Sequence, residues 1–342
     1  MSKIQKHYSL SPFGKPLHSL IYEWRKIWNP EWFQGSRRKE KYFEGWYFKN
    51  VSQSGEYCWS FIPGVSLVGE NAHSFIQAIN GKSGETYYFR FPAEDFSFSN
   101  KGFEVRIADN YFSEKGFSLN LDDGKNKFSG SISISDKIVY KATLRRPGIM
   151  GWYRYMPFME CYHGVVSLDH RLDGEITFNG GKMDFSNGRG YIEKDWGTSM
   201  PSSWIWMQTN HFQEAGTSFM LSVARIPWIR RTFTGFLGFF HHNGKTITFA
   251  TYTGAIISEL EYSQNTVNII IKANNYLIEI YGKNKSNGAL KAPVFGEMDR
   301  VIHESIDASI RIRVLSLGGN LIYEGKGESA GMEMVGNLSE LK

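Results

Sequence analysis

Cysteine is scarce. Cys58 and Cys161 are the two in 342 residues, which excludes a disulfide framework and makes a reduced, cytoplasmic setting the default expectation. Long apolar runs are missing too. No charged n-region followed by an apolar stretch stands at the N-terminus, so no secretory leader is expected, and "SLIYEW" is far too short to span a membrane. Helix signals are few, the best being "PLHSLIYEWRKIW" near the N-terminus. Several enzyme signatures are absent as well. "GGKMDFSNGRG" is glycine-rich but has no G-K-[ST] and no helix after it, against a phosphate loop. No G-x-S-x-G elbow occurs, against an α/β-hydrolase. No clear Cys/His ligand spacing occurs either. Neither a metal nor a cofactor is expected.

Acidic charge is short in one place. Residues 1–41 hold nine Lys/Arg against three acids, a local charge of +6 in a chain whose net charge is +5. The rest is therefore near −1, which argues against a nucleic-acid-binding body.

What fills the chain from Tyr42 onward is strand and turn. "EYCWSFI", "ETYYFRF", "GSISIS", "TVNIIIKA" and "YLIEIYG" are rich in β-branched and aromatic residues, and turns such as "SQSG", "NGKSG", "DDGKN" and "HHNGK" bound them. The class is all-β, with a short N-terminal helical arm. The strands are also duplicated in style. Trp46 is answered by Trp204, Asn80 by Asn243 and Tyr111 by Tyr276, at slowly drifting offsets of 158, 163 and 165 residues. Each match alone is what aromatic strands and Asn-Gly turns produce by chance; three in order point to internal duplication. The expected organisation is a basic arm over 1–41 and two antiparallel β-domains over 42–187 and 188–337. Each would be a barrel-like sheet around an apolar cavity, or the two would share one.

"KYFEGWYFKN" (41–50) opens the first domain and "GYIEKDWG" (190–197) the second, each with a glutamate shortly before a tryptophan. In an extended strand Glu44 and Trp46 share a face, as do Glu193 and Asp195, while Lys194 points the other way toward solvent or an outside partner. "GTSMPSS" is then a loop, and Trp204 and Trp206 share a face on the next strand. Burial keeps a carboxyl protonated, and such an acid can protonate an unreactive group such as an alkene. Trp and Tyr faces would hold the resulting cation. The plain alternative is that Glu-Lys-Asp is a solvated turn and the indoles are core. His163, three residues after Glu160, is either a satisfied core histidine or a hydrogen-bond partner of substrate or of a carboxylate.

"YFEGWYFK", "GWYRYMPFMECYHG", "GYIEKDWGTSMPSSWIWMQTN" and "KAPVFGEM" together resemble the tocopherol cyclase family, from about Tyr42 to Gly336. The resemblance implies a pair of lipocalin-like β-domains around an apolar cavity. It also implies ring closure of a prenylated hydroquinone to a chromanol, an intramolecular lyase reaction of the isomerase class. In that reaction the alkene nearest the ring is protonated and the phenol oxygen captures the tertiary cation. Carried over, it implies Glu193 and Glu44 as catalytic candidates, with Asp195 on the same strand face as a third, and Trp46, Trp196, Trp204, Trp206, His163 and Gln208 as substrate contacts. Asp195 departs from the family pattern, which has Asn there, and this makes it the weaker candidate.

The partner expected is therefore a hydrophobic small molecule, and no nucleic acid. The alternatives are a non-catalytic carrier of an apolar isoprenoid and an alkene hydratase on the same fold. A carrier has no need of a buried Glu193 or Glu44. Membrane contact at the inner face is expected through residues 1–41, with Trp24, Trp28 and Trp32, and through the Trp228 loop flanked by Arg225, Arg230 and Arg231.

Overall fold

A computed structural model of the chain describes residues 11–13, 19–36, 40–228, 230–285 and 288–342. The chain divides into two compact units. The first comprises 1–79, 86–200 and 291–301, and the second 80–85, 201–290 and 302–342. Both are antiparallel β-structures apart from one short parallel pair in the first unit, Ser11–Phe13 with Phe96–Ser99, and no helix among the described residues is long and apolar enough to cross a membrane.

In the first unit β1 (Ser11–Phe13) and the helix α1 (Ser19–Arg25) precede a meander of β2 (Tyr42–Val51), β3 (Cys58–Leu67), β4 (His73–Asn80) and β5 (Thr86–Pro92). A short 3-10 turn, Ala93–Asp95, follows, then β6 (Phe96–Ser99), β7 (Glu104–Ile107), β8 (Asn110–Ser113), β9 (Gly116–Asp122), β10 (Lys127–Ile138), β11 (Cys161–Phe178), β12 (Gly181–Asp184) and β13 (Gly188–Gly197). The last strand returns to pair with the first, β13 against β2. The sheet order is thus β1-β6-β7-β8-β9-β10-β11-β13-β2-β3-β4-β5.

The second unit repeats this scheme. A meander of β14 (Trp204–Thr209), β15 (Ser218–Trp228), β16 (Arg231–His242) and β17 (Lys245–Ala250) is followed by a 3-10 turn, Thr251–Thr253. Then come β18 (Ile256–Tyr262), β19 (Thr266–Ala273), β20 (Tyr276–Lys283), β21 (Gly288–Val294), β22 (Glu297–Ser316) and β23 (Leu321–Val335), with residues 291–301, the end of β21 and the start of β22, counted in the first unit. Again the last strand pairs with the first, β23 against β14, in the order β17-β16-β15-β14-β23-β22-β20-β19-β18. The three sequence matches fall at equivalent points. Trp46 and Trp204 lie on the opening strands, Asn80 and Asn243 at the turn after the third strand, and Tyr111 and Tyr276 on β8 and β20. Asn243 and Gly244 both have positive φ, 48° and 72°, the geometry a two-residue hairpin requires.

The outer strands bury one face. On β19, Val267, Ile269, Ile271 and Ala273 alternate inward into the core of the second unit, the period-2 pattern of a half-buried strand. Strands β2, β3, β13 and β14 are buried on both faces along most of their length. On one face of β2, Trp46 stacks on Phe103 and Phe48 packs on Phe112 and Phe117, an aromatic interior.

Three expectations are corrected here. The stretch 188–197 does not open the second domain; as β13 it lies between β11 and β2 in the first unit, so the second unit's main segment starts at residue 201. Local turn signals cannot reveal a pairing made across well over a hundred residues. The arm of 1–41 is not separate either. Over 22–36 it packs into the first unit, with the Tyr22 hydroxyl donating to Phe33 O, the Trp46 indole donating to Glu31 O, and Trp32 buried and stacked on Tyr22. Of the arm's basic residues, Lys3, Lys6, Lys15, Arg37, Arg38 and Lys39 lie outside the described residues. Third, Lys194 does not face solvent. It is fully buried, 2.5 Å from Glu44 Oε1 on β2.

That ion pair is fully coordinated. Lys194 Nζ also donates to the carbonyls of Pro30 and Trp32 and lies 4.5 Å and 5.0 Å from the ring centres of Trp46 and Trp196. Glu44 accepts from the backbone N–H groups of Gln34 and Gly35 and from the Tyr42 hydroxyl. Gly164 makes room for this arrangement, since a Cβ there would come within 2.6 Å of Pro30. Burial pulls the Lys194 pKa down to about 8, with Glu44 holding it up against that. Removing one partner leaves a bare buried charge. Lys194→Met is therefore expected to lower unfolding free energy by about 3–5 kcal/mol. Glu44→Gln combined with Lys194→Met should cost less than the sum of the single changes, as measured by urea denaturation; additive costs would contradict the pairing.

Candidate active site

Because strand residues alternate, Lys194 and Trp196 occupy the Glu44 side of the sheet, and Tyr191, Glu193 and Asp195 occupy the other. The β11/β13 register sets His163 directly opposite Asp195 and Val165 opposite Glu193. The β13/β2 register sets Gly45, Tyr47 and the fully buried Lys49 opposite Asp195, Glu193 and Tyr191.

Five side chains meet on this face. His163 Nδ1 donates to Asp195 Oδ1 at 2.9 Å. Its Nε2 makes no hydrogen bond and lies 3.4 Å from Glu193 Oε2, an ionic rather than a hydrogen-bonded contact. The same Glu193 oxygen accepts from the Tyr191 hydroxyl at 2.7 Å. Cys161 Sγ stands 3.8 Å from Asp195 Oδ1. Glu193 is 4% exposed and Tyr191 is fully buried.

Burial opposes a charged His163, but the two carboxylates, Asp195 foremost, outweigh it and push the imidazole pKa up to about 10. At neutral pH the ring is an imidazolium between two carboxylates. Burial and Glu193 push the Tyr191 phenol well above its usual range, so it stays a donor. Burial and Asp195 likewise keep the Cys161 thiol protonated. His163, Glu193 and Asp195 also form a conceivable ligand trio, with donor atoms within 4.8 Å of one another. The ring stands between the carboxylates with one nitrogen toward each. That arrangement suits proton exchange better than convergence on a cation.

Of the residues singled out from sequence, the fold thus brings together Glu193, Asp195 and His163. It places Glu44, Trp46 and Trp196 on the opposite face. There the two indoles do hold a cation, but it is the Lys194 ammonium; Trp196 also stacks on Tyr162 and lies beneath the Arg154 guanidinium. Glu44 meets donors on every side and acts as a structural anion. Trp204, Trp206 and Gln208 lie on β14 of the second unit, where the Trp204 indole donates to Glu333 and Trp206 packs on Gly331. Sequence reasoning missed Tyr191, Lys49 and Arg154. Tyr191 was within reach, because it stands two residues before Glu193 on the same face. A separate cavity of about 450 Å³, lined by Lys41, Val68, Phe295 and Arg300 among others, contains none of the cluster.

The β-architecture is lipocalin-like in fold, and solved structures share it. Kievitone hydratase from Nectria haematococca aligns over 97% of this chain and 98% of its own, with a TM-score of 0.51 at 10% identity. The protein CghA aligns over 86% and 89%, with a TM-score of 0.52 at 8% identity. The family model described as tocopherol cyclase-like matches residues 132–336, and the chain belongs to that family. A probable chloroplastic tocopherol cyclase of Oryza sativa subsp. japonica is 25% identical over 255 residues, covering 64% of this chain and 54% of the relative. A chloroplastic tocopherol cyclase of Zea mays is 24% identical over 220 residues, covering 55% and 46%. The chain spans about half the length of these curated relatives.

The raised His163 pKa has a stability consequence. The folded value, about 10, lies above the unfolded value near 6.5. The imidazolium's contribution is therefore complete below about pH 6.5, declines above it and is lost as pH passes through about 10. His163→Gln should remove this decline, seen as a flatter stability profile between pH 7 and 10 in chemical denaturation. An unchanged slope would mean that His163 is neutral in the folded protein.

Proposed function

We propose that this chain is an acid–base enzyme that closes a prenylated hydroquinone to a chromanol. The observation that carries the reading is the buried Tyr191–Glu193–His163–Asp195 cluster in a chain of the tocopherol cyclase-like family. A proton held by the His163 imidazolium passes through Glu193 to the alkene nearest the aromatic ring, and a tertiary carbocation forms. The phenol oxygen attacks that carbon, the C–O bond forms, and the phenolic proton returns to the cluster. The substrate gains and loses one proton, so the product is an isomer. Asp195 fixes the imidazole through Nδ1 and aims Nε2 at Glu193, so a proton can pass between them without leaving the site. Tyr191 orients the carboxyl from the other side.

Trp204, Trp206 and Gln208 are proposed as substrate contacts on the strength of the family resemblance of their segment, which lies inside the matched region. A carrier of apolar ligands would need no such cluster of ionisable groups. The buried Glu44 does not discriminate, because its burial is explained by Lys194. Hydration would use the same acid but admit water to the cation, which ring closure must exclude.

Incubation of the purified chain with a panel of prenylated hydroquinones tests the reading. A product of unchanged mass and altered retention is expected; a product heavier by one water indicates hydration, and binding without conversion indicates carriage. Glu193→Gln keeps the shape but has no acidic proton. It should lower turnover by about two to four decades and leave ligand binding, followed by tryptophan quenching, largely intact. Near-normal turnover in this variant would remove Glu193 from the mechanism.

A further inference from the structure

Two neighbouring elements of the first unit expose apolar and basic groups together. On α1 and the turn after it, Tyr22 and Lys26 face inward, while Ile21, Trp24, Arg25 and Trp28 follow the i, i+3, i+4, i+7 spacing of one face. Ile21 is 54% and Trp24 61% exposed, so this outward stripe carries the apolar residues that a helix on a folded body normally turns in. The second element is segment 139–160 between β10 and β11, irregular apart from a 3-10 turn at Gly151–Tyr155. Arg154 fastens it to the end of α1 by donating to Lys26 O and to Gln34 Oε1.

Segment 137–159 holds five Lys/Arg and no Asp or Glu. Lys137 is paired with Glu114, and Arg154 is turned inward. Lys141, Arg145 and Arg146 make no salt bridge among the described residues. Beside them Leu144 is 75% and Phe158 49% exposed, with Trp152 and Tyr155 also outside. The Tyr155 hydroxyl donates to Leu144 O and holds the two parts of the segment together. Cations without an acidic partner, Arg146 lying over the Tyr140 ring, stand among exposed Leu, Phe and Trp and complement a surface that is negative and has an apolar layer just beneath.

We propose that α1 and segment 139–158 form a docking surface for an anionic lipid bilayer. The contact expected from residues 1–41 thus moves largely to a segment for which sequence reading expected no membrane contact, and Trp32 takes no part because it is buried. The inference is independent of the reaction assigned to the cluster.

Co-sedimentation of the full chain with vesicles of phosphatidylcholine alone, or of phosphatidylcholine with phosphatidylglycerol, is the test. Stronger recovery on the anionic vesicles at low salt is expected, weakening as salt is added. Lys141→Gln with Arg145→Gln should weaken that binding about fivefold per residue removed, and Leu144→Ser with Phe158→Ser should also reduce it. Circular dichroism confirms that each variant is folded. Equal recovery on both vesicles, or wild-type affinity in both double variants, overturns the proposal. So does self-association through this patch without vesicle binding, which would show the partner to be a second copy of the chain.

Discussion

The pairing of Lys194 with Glu44 is the contact on which the first unit's geometry turns. Dehydrating an ammonium and a carboxylate is costly, and the cost is offset only when every remaining donor and acceptor is met. Here Lys194 has a carboxylate, two carbonyls and two indole faces, and Glu44 has two backbone amides and a tyrosine. The pair spans β2 and β13, where the sheet's last strand meets its first, and it draws residues 30–35 onto the same face. It also fixes register. A slip of one residue would exchange Lys194 with Glu193 and turn every side chain to the wrong side.

The position of the acid cluster follows from that constraint. With Lys194 committed to one face, Glu193 and Asp195 must occupy the other, together with Tyr191. The bulges in β11 after Val165 leave His163 in register with Asp195. Two arrays of opposite chemistry therefore lie back to back on one three-strand patch. One is saturated, aromatic and structural. The other holds an imidazolium between two carboxylates, with a phenol donating to one of them. On the structural face the indoles of Trp46 and Trp196 flank the Lys194 ammonium.

The legible part of this was local. Strand runs, Asn-Gly turns and the repeated order of elements could be read from the sequence, and the repeat survives as two meanders, each closed by its last strand onto its first. That Glu193 and Asp195 share a face also followed from the period of two. Which face was inward did not follow, because β2 and β13 are buried on both sides and carry no polar–apolar alternation to mark the interior. The domain boundary failed for a related reason. "GYIEKDWG" looks like an opening strand, but its partners are Tyr42–Val51 and Cys161–Phe178, a non-local choice that no turn signal encodes. His163 stayed ambiguous because its role depends on cross-strand register.

The central claim is that a proton from this cluster is delivered to a substrate carbon. Turnover of a prenylated hydroquinone in deuterium oxide tests it most directly. Delivery to the alkene predicts a cyclised product that keeps one deuterium bound to carbon after exchange back into ordinary water, seen by mass spectrometry. A cyclised product with no carbon-bound deuterium would contradict the account, because the ring would then have closed without protonation of the alkene.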